Sequence, residues 1–527
     1  MAASASGHAK YLERQVEFIR DSQKGDIHDI VVKVRPPGKD DPTFVATVAE
    51  ALHRRGLSSS ARDLLPVERR ILQASPEGGG RSRPKEASIL KGDDRSLAAQ
   101  VAQANLSRAA HAALRKRNLD ALRPLLDSEV VKETTAAVAA HRNRRKRVKS
   151  SARQEPVRFW TSTSAVLSVR GQDLSKLIKA PSVQDIFLNQ KMAVPPVVAT
   201  KQVPQSVEDN KVSSWGIRTI GALSSWGAFG CRGKGIVVGL LDTGVDPNHP
   251  DLKGKIANWA EFDEKGNLKK GSKPHDSDQH GTHCAGTIVG GNASGRWIGV
   301  APEAKIAAGL VLNGERGGTH AQILAGLEWA INQQVDVISM SLGAFILGPE
   351  VPSTYSTAIL SALKVGIPVV TAIGNQGSQT SGSPGNDFFA FAVGATDPAN
   401  RAAGFSGGRT QIIRDSEFFA PAQLPLVYSK PDVSAPGVAV FSSIPGGKWE
   451  HLNGTSMATP HVAGAIALLL SATEIKSKVA PTQRAFVIQD LLSGSAEELG
   501  EAGQNHRFGF GPIDILRMIG FAKERGY

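Results

Sequence analysis

Gly235-Ile236-Val237-Val238-Gly239-Leu240-Leu241-Asp242-Thr243-Gly244 decides the fold. A short apolar run ends in an acid and a glycine turn, the pattern of a strand buried on both faces. Similar runs follow at 304–312 (AKIAAGLVL), 335–343 (VDVISMSLG) and 367–374 (IPVVTAIG). Between them lie helix-like stretches at 321–334 (AQILAGLEWAINQQ) and 354–366 (TYSTAILSALKVG). This alternation predicts an α/β domain in three layers, a mostly parallel central sheet with helices on both faces. Ligands and catalytic groups collect at the C-terminal strand edge of such sheets, where Asp242 stands.

Two later segments share that chemistry. His280-Gly281-Thr282-His283-Cys284-Ala285-Gly286-Thr287 opens a helix-like stretch of small residues with a histidine. Asn453-Gly454-Thr455-Ser456-Met457-Ala458-Thr459-Pro460-His461 places a serine at the start of an apolar helix, whose N-terminus favours developing negative charge. A serine hydroxyl is a poor nucleophile alone. A histidine must take its proton, and a buried carboxylate must orient the imidazole. Taken singly, Asp242 reads as a turn residue and Ser456 as a helix cap; together they read as a triad. The order Asp, His, Ser differs from that of chymotrypsin-like enzymes and of α/β-hydrolases, and GTSMA lacks a G-x-S-x-G elbow. His280-x-x-His283-Cys284 raises zinc, but no second ligand pair stands at zinc spacing.

The segments DTGVDPNHPDL (242–252), HGTHCAGT (280–287) and NGTSMATPHVAGA (453–465) resemble the three signatures of the subtilisin-like serine proteases, from about Trp215 to Gly511. The resemblance implies a serine endopeptidase with Asp242 as orienting acid, His280 as general base and Ser456 as nucleophile. VTAIGNQG (370–377) resembles the family's oxyanion segment, so Asn375 is the implied side-chain donor beside the Ser456 N–H. Ser341-Leu342-Gly343 resembles the edge that takes the substrate backbone as an added strand, with Ala344 where a second glycine is common. Gly382-Ser383-Pro384 resembles the far wall of the S1 pocket. Ile373 stands where a smaller residue is usual, and these segments hold no acid, so an apolar P1 side chain is expected. Cys284 matches the thiol of the proteinase-K-like branch and reads equally as a small buried hydrophobe. His249 and His461 are expected to serve structure. No cofactor is expected to be required. A structural Ca²⁺ at Asp251 is the one metal candidate, with the loop Asn292–Gly295 beside it, although Ala293 stands where an asparagine ligand is common.

The N-terminal part differs. The chain of 527 residues carries a net charge of +13, yet residues 1–200 alone hold 35 basic and 21 acidic side chains, and the remainder is close to neutral. Such asymmetry suggests two jobs. A strand near 29–34, a helix near 43–55, a strand within 157–171, a helix at 173–179 and a strand near 183–190 resemble the α+β pro-segment of the same family. The boundaries expected are 1–190 for this pro-segment-like domain, 191–213 for a Pro- and Val-rich extended linker, and 214–527 for the peptidase domain. A helical insertion at about 97–148, broken near Pro124, interrupts the first. Its basic run, 141–149, reads as a solvated face, a processing site or a nucleic-acid contact. No aromatics stand around it to stack on bases, so nucleic acid is not expected as a partner. The implied partners are a protein or peptide substrate and the chain's own N-terminal domain, either as an inhibitor removed by self-cleavage or as a permanent regulatory module. Two cysteines exclude a disulfide framework. No basic-then-apolar leader and no apolar run of about 18 residues stands out, so a cytoplasmic location and no membrane are expected, with secretion left open.

Overall fold

The computed structural model describes residues 26–34, 42–55, 93–146, 155–192, 198–200, 203, 207, 211–346, 348 and 351–527. Strands β7 (Val237–Asp242), β8 (Ile256–Glu261), β9 (Lys305–Leu310), β11 (Val337–Met340), β13 (Val369–Ala372), β15 (Phe391–Thr396) and β18 (Val433–Pro436) form one sheet in the order β18-β15-β13-β11-β7-β9-β8. Every pairing in it is parallel. The period of two divides its side chains between two cores. Val238 and Leu240 face one, and Leu241 faces the other.

Helices α4 (His280–Val289) and α7 (Thr455–Ala472) fill the first face, and α5 (His320–Asn332) and α6 (Ser356–Lys364) the second. Helix α7 is apolar all round and therefore buried, against β11, β13, β15 and β18. It is long and apolar enough to cross a membrane, but 89% of that stretch lies inside the protein. The mostly parallel three-layer architecture expected from residues 235–374 is present.

Upstream, β1 (Ile27–Val34), β2 (Val157–Phe159), β3 (Ser164–Arg170) and β4 (Val183–Leu188) make an antiparallel sheet in the order β2-β3-β1-β4. Ile30, Val32 and Val34 point to a core shared with Leu122, Leu125 and Val131 of helices α2 (Asp93–Leu126) and α3 (Glu129–Lys146). Val31 points the other way, into the core of the peptidase domain. The helical insertion therefore covers the outer face of a sheet whose inner face lies on the C-terminal domain. Helix α1 (Pro42–Arg54) packs on α6 and on α8 (Pro481–Ser495).

Two local expectations change. The stretch 157–171 is a hairpin, because Trp160–Thr163 turn, with Thr163 at φ 48°. The turn is built of β-favouring residues with no glycine or proline to announce it. The helical insertion breaks near Pro124 as expected, with the gap itself at Asp127–Ser128, since Pro124 sits in the last turn of α2 and costs it only one N–H. The segment 191–213 is not an unpaired linker. Its β5 (Lys191–Met192) pairs with β10 (Gly318–Thr319), and its β6 (Val198–Ala199) pairs with β20 (Lys448–Asn453). An extended backbone without a ladder of its own adds to whatever edge it meets. Residues 1–25, Gly78–Gly80 and the side chains of the run 141–149 lie outside the described residues.

Candidate active site

Asp242 ends β7, and His280 begins α4. The Nδ1–H of His280 donates to Asp242 Oδ1 at 2.6 Å, and the Thr243 N–H donates to the same oxygen at 2.8 Å. His280 Nε2 has no hydrogen-bond partner among the described residues. Asp276 ties strand to helix. It accepts from Thr243 Oγ1 at 2.7 Å and from the Thr282 N–H at 2.7 Å, while Thr243 Oγ1 accepts from the Gly281 N–H at 2.9 Å. The helix therefore starts against the strand end with its first N–H groups satisfied. Gly281 is required there, since a Cβ would lie 2.0 Å from the Gly244 carbonyl oxygen. Asp276 was not singled out in the sequence, where only its place four residues before His280 hints at a role.

Burial alone would push the His280 pKa down. The Asp242 carboxylate outweighs it and holds the imidazole well above its usual value. Asp242, His280 and Ser456 are 1%, 2% and 0% exposed.

Ser456 is the second residue of α7, in the turn where N–H groups have no intrahelical acceptor. Its hydroxyl donates to the Ser341 carbonyl at 3.4 Å, and the Ser341 hydroxyl donates to the Ser456 carbonyl at 2.8 Å. Ser456 and the edge segment Ser341–Gly343 are thus pinned together. Asn375 Oδ1 accepts from the Thr455 N–H and hydroxyl, each at 2.8 Å, which fixes the amide so that Nδ2 lies beside Gly454. Leu342 is buried, and Gly343 approaches the Ser383 carbonyl so closely that a Cβ would lie 3.1 Å from it. β12 (Ala344–Phe345) pairs with β14 (Gly382–Ser383), setting Ala344 opposite Ser383 and Phe345 opposite Gly382.

Cys284 Sγ lies 3.9 Å from His280 Nδ1 and 3.5 Å from the Ser456 carbonyl. Burial pushes its thiol pKa up, so it stays neutral beneath the base. Donor atoms of Asp242, His280 and Cys284 fall within 4.8 Å of one another. A metal does not fit them, because the acid and the base are bound to each other and the thiol is protonated. His283 is neutral, its pKa lowered to about 3 by burial, and its Nε2–H faces the carbonyls of Val440 and Glu450. His461 is likewise lowered to about 4, with Nδ1 on the Met457 carbonyl. His249 bonds the Lys448 carbonyl.

Asp251, the residue that the resemblance offers to a cation, takes N–H donors on both oxygens. Its Oδ1 accepts from the Ala293 N–H and its Oδ2 from the Trp449 Nε1–H, each at 2.7 Å. These bonds take two of the carboxylate's roughly four acceptor sites, and position 293 brings an N–H and no ligand side chain.

The sequence reading overlooked two edges. Gly318–Thr319 and Leu452–Asn453 take up the chain's own strands on either side of the site. A visible signal was Gly317-Gly318 just before Thr319, which caps α5 through a capping box with Gln322.

A family model described as the subtilase family matches residues 233–511. The chain is similar to a subtilisin of Bacillus pumilus, 37% identical over 278 residues, which are 52% of this chain and 88% of that protein. It is similar to subtilisin E of Bacillus subtilis (strain 168), 37% identical over 278 residues, 52% of this chain and 63% of that protein. The major intracellular serine protease of the same strain is 36% identical over 293 residues, 54% of this chain and 83% of that protein.

Proposed function

The chain belongs to the subtilase family and is a serine endopeptidase, and from that premise we propose that Asp242, His280 and Ser456 form its catalytic triad and that its N-terminal domain restrains it until the connecting segment is cut. The observation that carries the chemistry is the buried His280–Asp242 pair at 2.6 Å, which fixes the Nε2-acceptor tautomer. Rotation of the Ser456 side chain from the Ser341 carbonyl toward Nε2 lets the imidazole take its proton as Oγ attacks the substrate carbonyl. The resulting oxyanion is met by Asn375 Nδ2 and the Ser456 N–H. His280 then returns the proton to the leaving amine, and water repeats the sequence on the acyl-enzyme.

Restraint is supported by the two short strands. Met192 pairs with Gly318 on one side of the site and Val198 with Asn453 on the other. Extended backbone added to two edges of the peptidase domain is the way a protease takes up a substrate strand, and it supports this reading. We place self-cleavage between Met192 and Val198. Residues 193–197 lie outside the described residues.

Casein hydrolysis tests the triad. Ser456→Ala and His280→Ala are expected to abolish it while leaving the circular dichroism spectrum unchanged. Asn375→Ala is expected to lower kcat by about 10²–10³, the scale known for a subtilisin oxyanion asparagine. Full activity in a folded Ser456→Ala protein would exclude the assignment.

A further inference from the structure

We infer that the peptidase domain carries a preformed guanidinium receptor, at the end of its sheet opposite the triad, into which Arg55 locks the N-terminal domain. Arg55 follows α1. Its guanidinium donates to Asp432 Oδ1 at 2.8 Å and to the Phe388 carbonyl at 3.1 Å. It lies over the rings of Phe388 and Tyr428, 4.9 and 5.5 Å from their centroids. Phe388 and Asp432 stand just before β15 and β18, at the N-terminal ends of these strands, whereas the triad sits at the C-terminal end of the sheet.

The parts of the receptor are tied down by groups of the peptidase domain itself. Asp432 is held by the Ala392 N–H and by the Nζ of Lys430, each at 2.7 Å on Oδ2. Lys430 is fully buried and donates also to the Ala390 carbonyl at 2.5 Å. Asp387, buried beside the same aromatic wall, bonds Ser356 and the Phe389 N–H. Burial raises Asp387 and would raise Asp432, but Arg55 and Lys430 hold Asp432 below its usual value. Two buried acids thus face one buried lysine, and Asp432 Oδ1 is left for a second cation. Two aromatic rings beside a carboxylate oxygen and a backbone carbonyl suit a guanidinium better than an ammonium, because the planar cation can stack on a ring while its N–H groups reach the oxygens. A second, smaller contact lies nearby. Lys33 of β1, 2% exposed, meets Glu417 at 2.5 Å and lies over Phe418 in the segment joining β16 (Arg409–Ile413) to β17 (Leu426–Lys430).

This anchor does not involve the connecting segment, so the N-terminal domain stays on the enzyme after that segment is cut. The inference takes from the proposed function only the identity of the piece that is held. Its test therefore uses the full chain with Ser456→Ala and a recognition sequence for an added specific protease placed between Gln202 and Val207. After cutting, the two fragments are expected to co-elute on size exclusion. Exchange of a labelled N-terminal fragment gives the dissociation rate. Arg55→Ala is expected to raise that rate by roughly 30-fold or more, as loss of one partner of a buried charge pair does, and Arg55→Lys to fall between. Lys132→Ala, on an exposed part of α3, is the control and should leave the rate unchanged. Should the uncut Arg55→Ala chain not fold by circular dichroism, Arg55→Lys and Arg55→Gln carry the measurement. Fragments that separate at once in the parent, or an Arg55 series that dissociates at the parent rate, overturn the inference. Because the chain is catalytically silent and the cut is external, neither outcome depends on whether the protein processes itself.

Discussion

At His280, burial and a carboxylate pull in opposite directions, and the carboxylate prevails. Only the neutral imidazole can accept the Ser456 proton, so a raised pKa moves the acid limb of activity upward. The pH profile of kcat/KM is expected to have its acid midpoint above about 6.5, the unperturbed imidazole value; a midpoint at or below it would contradict the role given to Asp242. At Asp251 two N–H donors stand where the resemblance implies a metal. Chelation with EDTA is therefore expected to leave Tm unchanged. Trp449→Phe, which strips one donor from a buried carboxylate, should destabilise by about 1–3 kcal/mol in chemical denaturation. A rise of Tm on adding Ca²⁺ to the native protein would show the opposite. The proposed triad could be read from the sequence because each member lies within a long local motif, and the structure joins two of its members, Asp242 and His280. The fate of Asp251 was not legible there, because Trp449 is 198 positions away and only the fold brings it near.

The elements show the same division between local and distant information. Parallel strands were readable from runs such as 235–241 because burial on both faces leaves an uninterrupted apolar signature. The hairpin at Trp160–Thr163 was not, because its turn has no glycine or proline and is held by neighbours, among them Asn118, which donates to the Trp160 carbonyl at 2.9 Å. Neither were β5 and β6, two residues each, whose partners belong to another domain. The helical insertion gains a structural role from its placement. Leu122 and Leu125 are fully buried against β1 and β3. Leu122→Ala is expected to cost about 2–5 kcal/mol in the stability of the N-terminal domain, seen as faster trypsin cleavage within residues 93–192 while the peptidase domain stays resistant. Unchanged cleavage kinetics would mean that α2 does not support the sheet.

For the whole molecule, charge and geometry divide the work. A basic N-terminal domain lies on a near-neutral peptidase through an apolar sheet face, the Arg55 receptor and two short strands flanking the triad. The sequence showed the two parts by their charge. It could not show that the connecting segment pairs at 191–192 and again at 198–199, since that depends on edges at 318–319 and 452–453 that only the folded chain presents. The central claim is that Ser456 is a working nucleophile facing its own connecting segment. Intact-mass spectrometry of wild-type and Ser456→Ala protein after prolonged incubation tests it most directly. The account predicts two wild-type fragments with the break between Met192 and Val198, and a single unbroken Ser456→Ala chain. A wild-type chain that stays whole while it hydrolyses casein, or a Ser456→Ala chain cut at the same place, would contradict it.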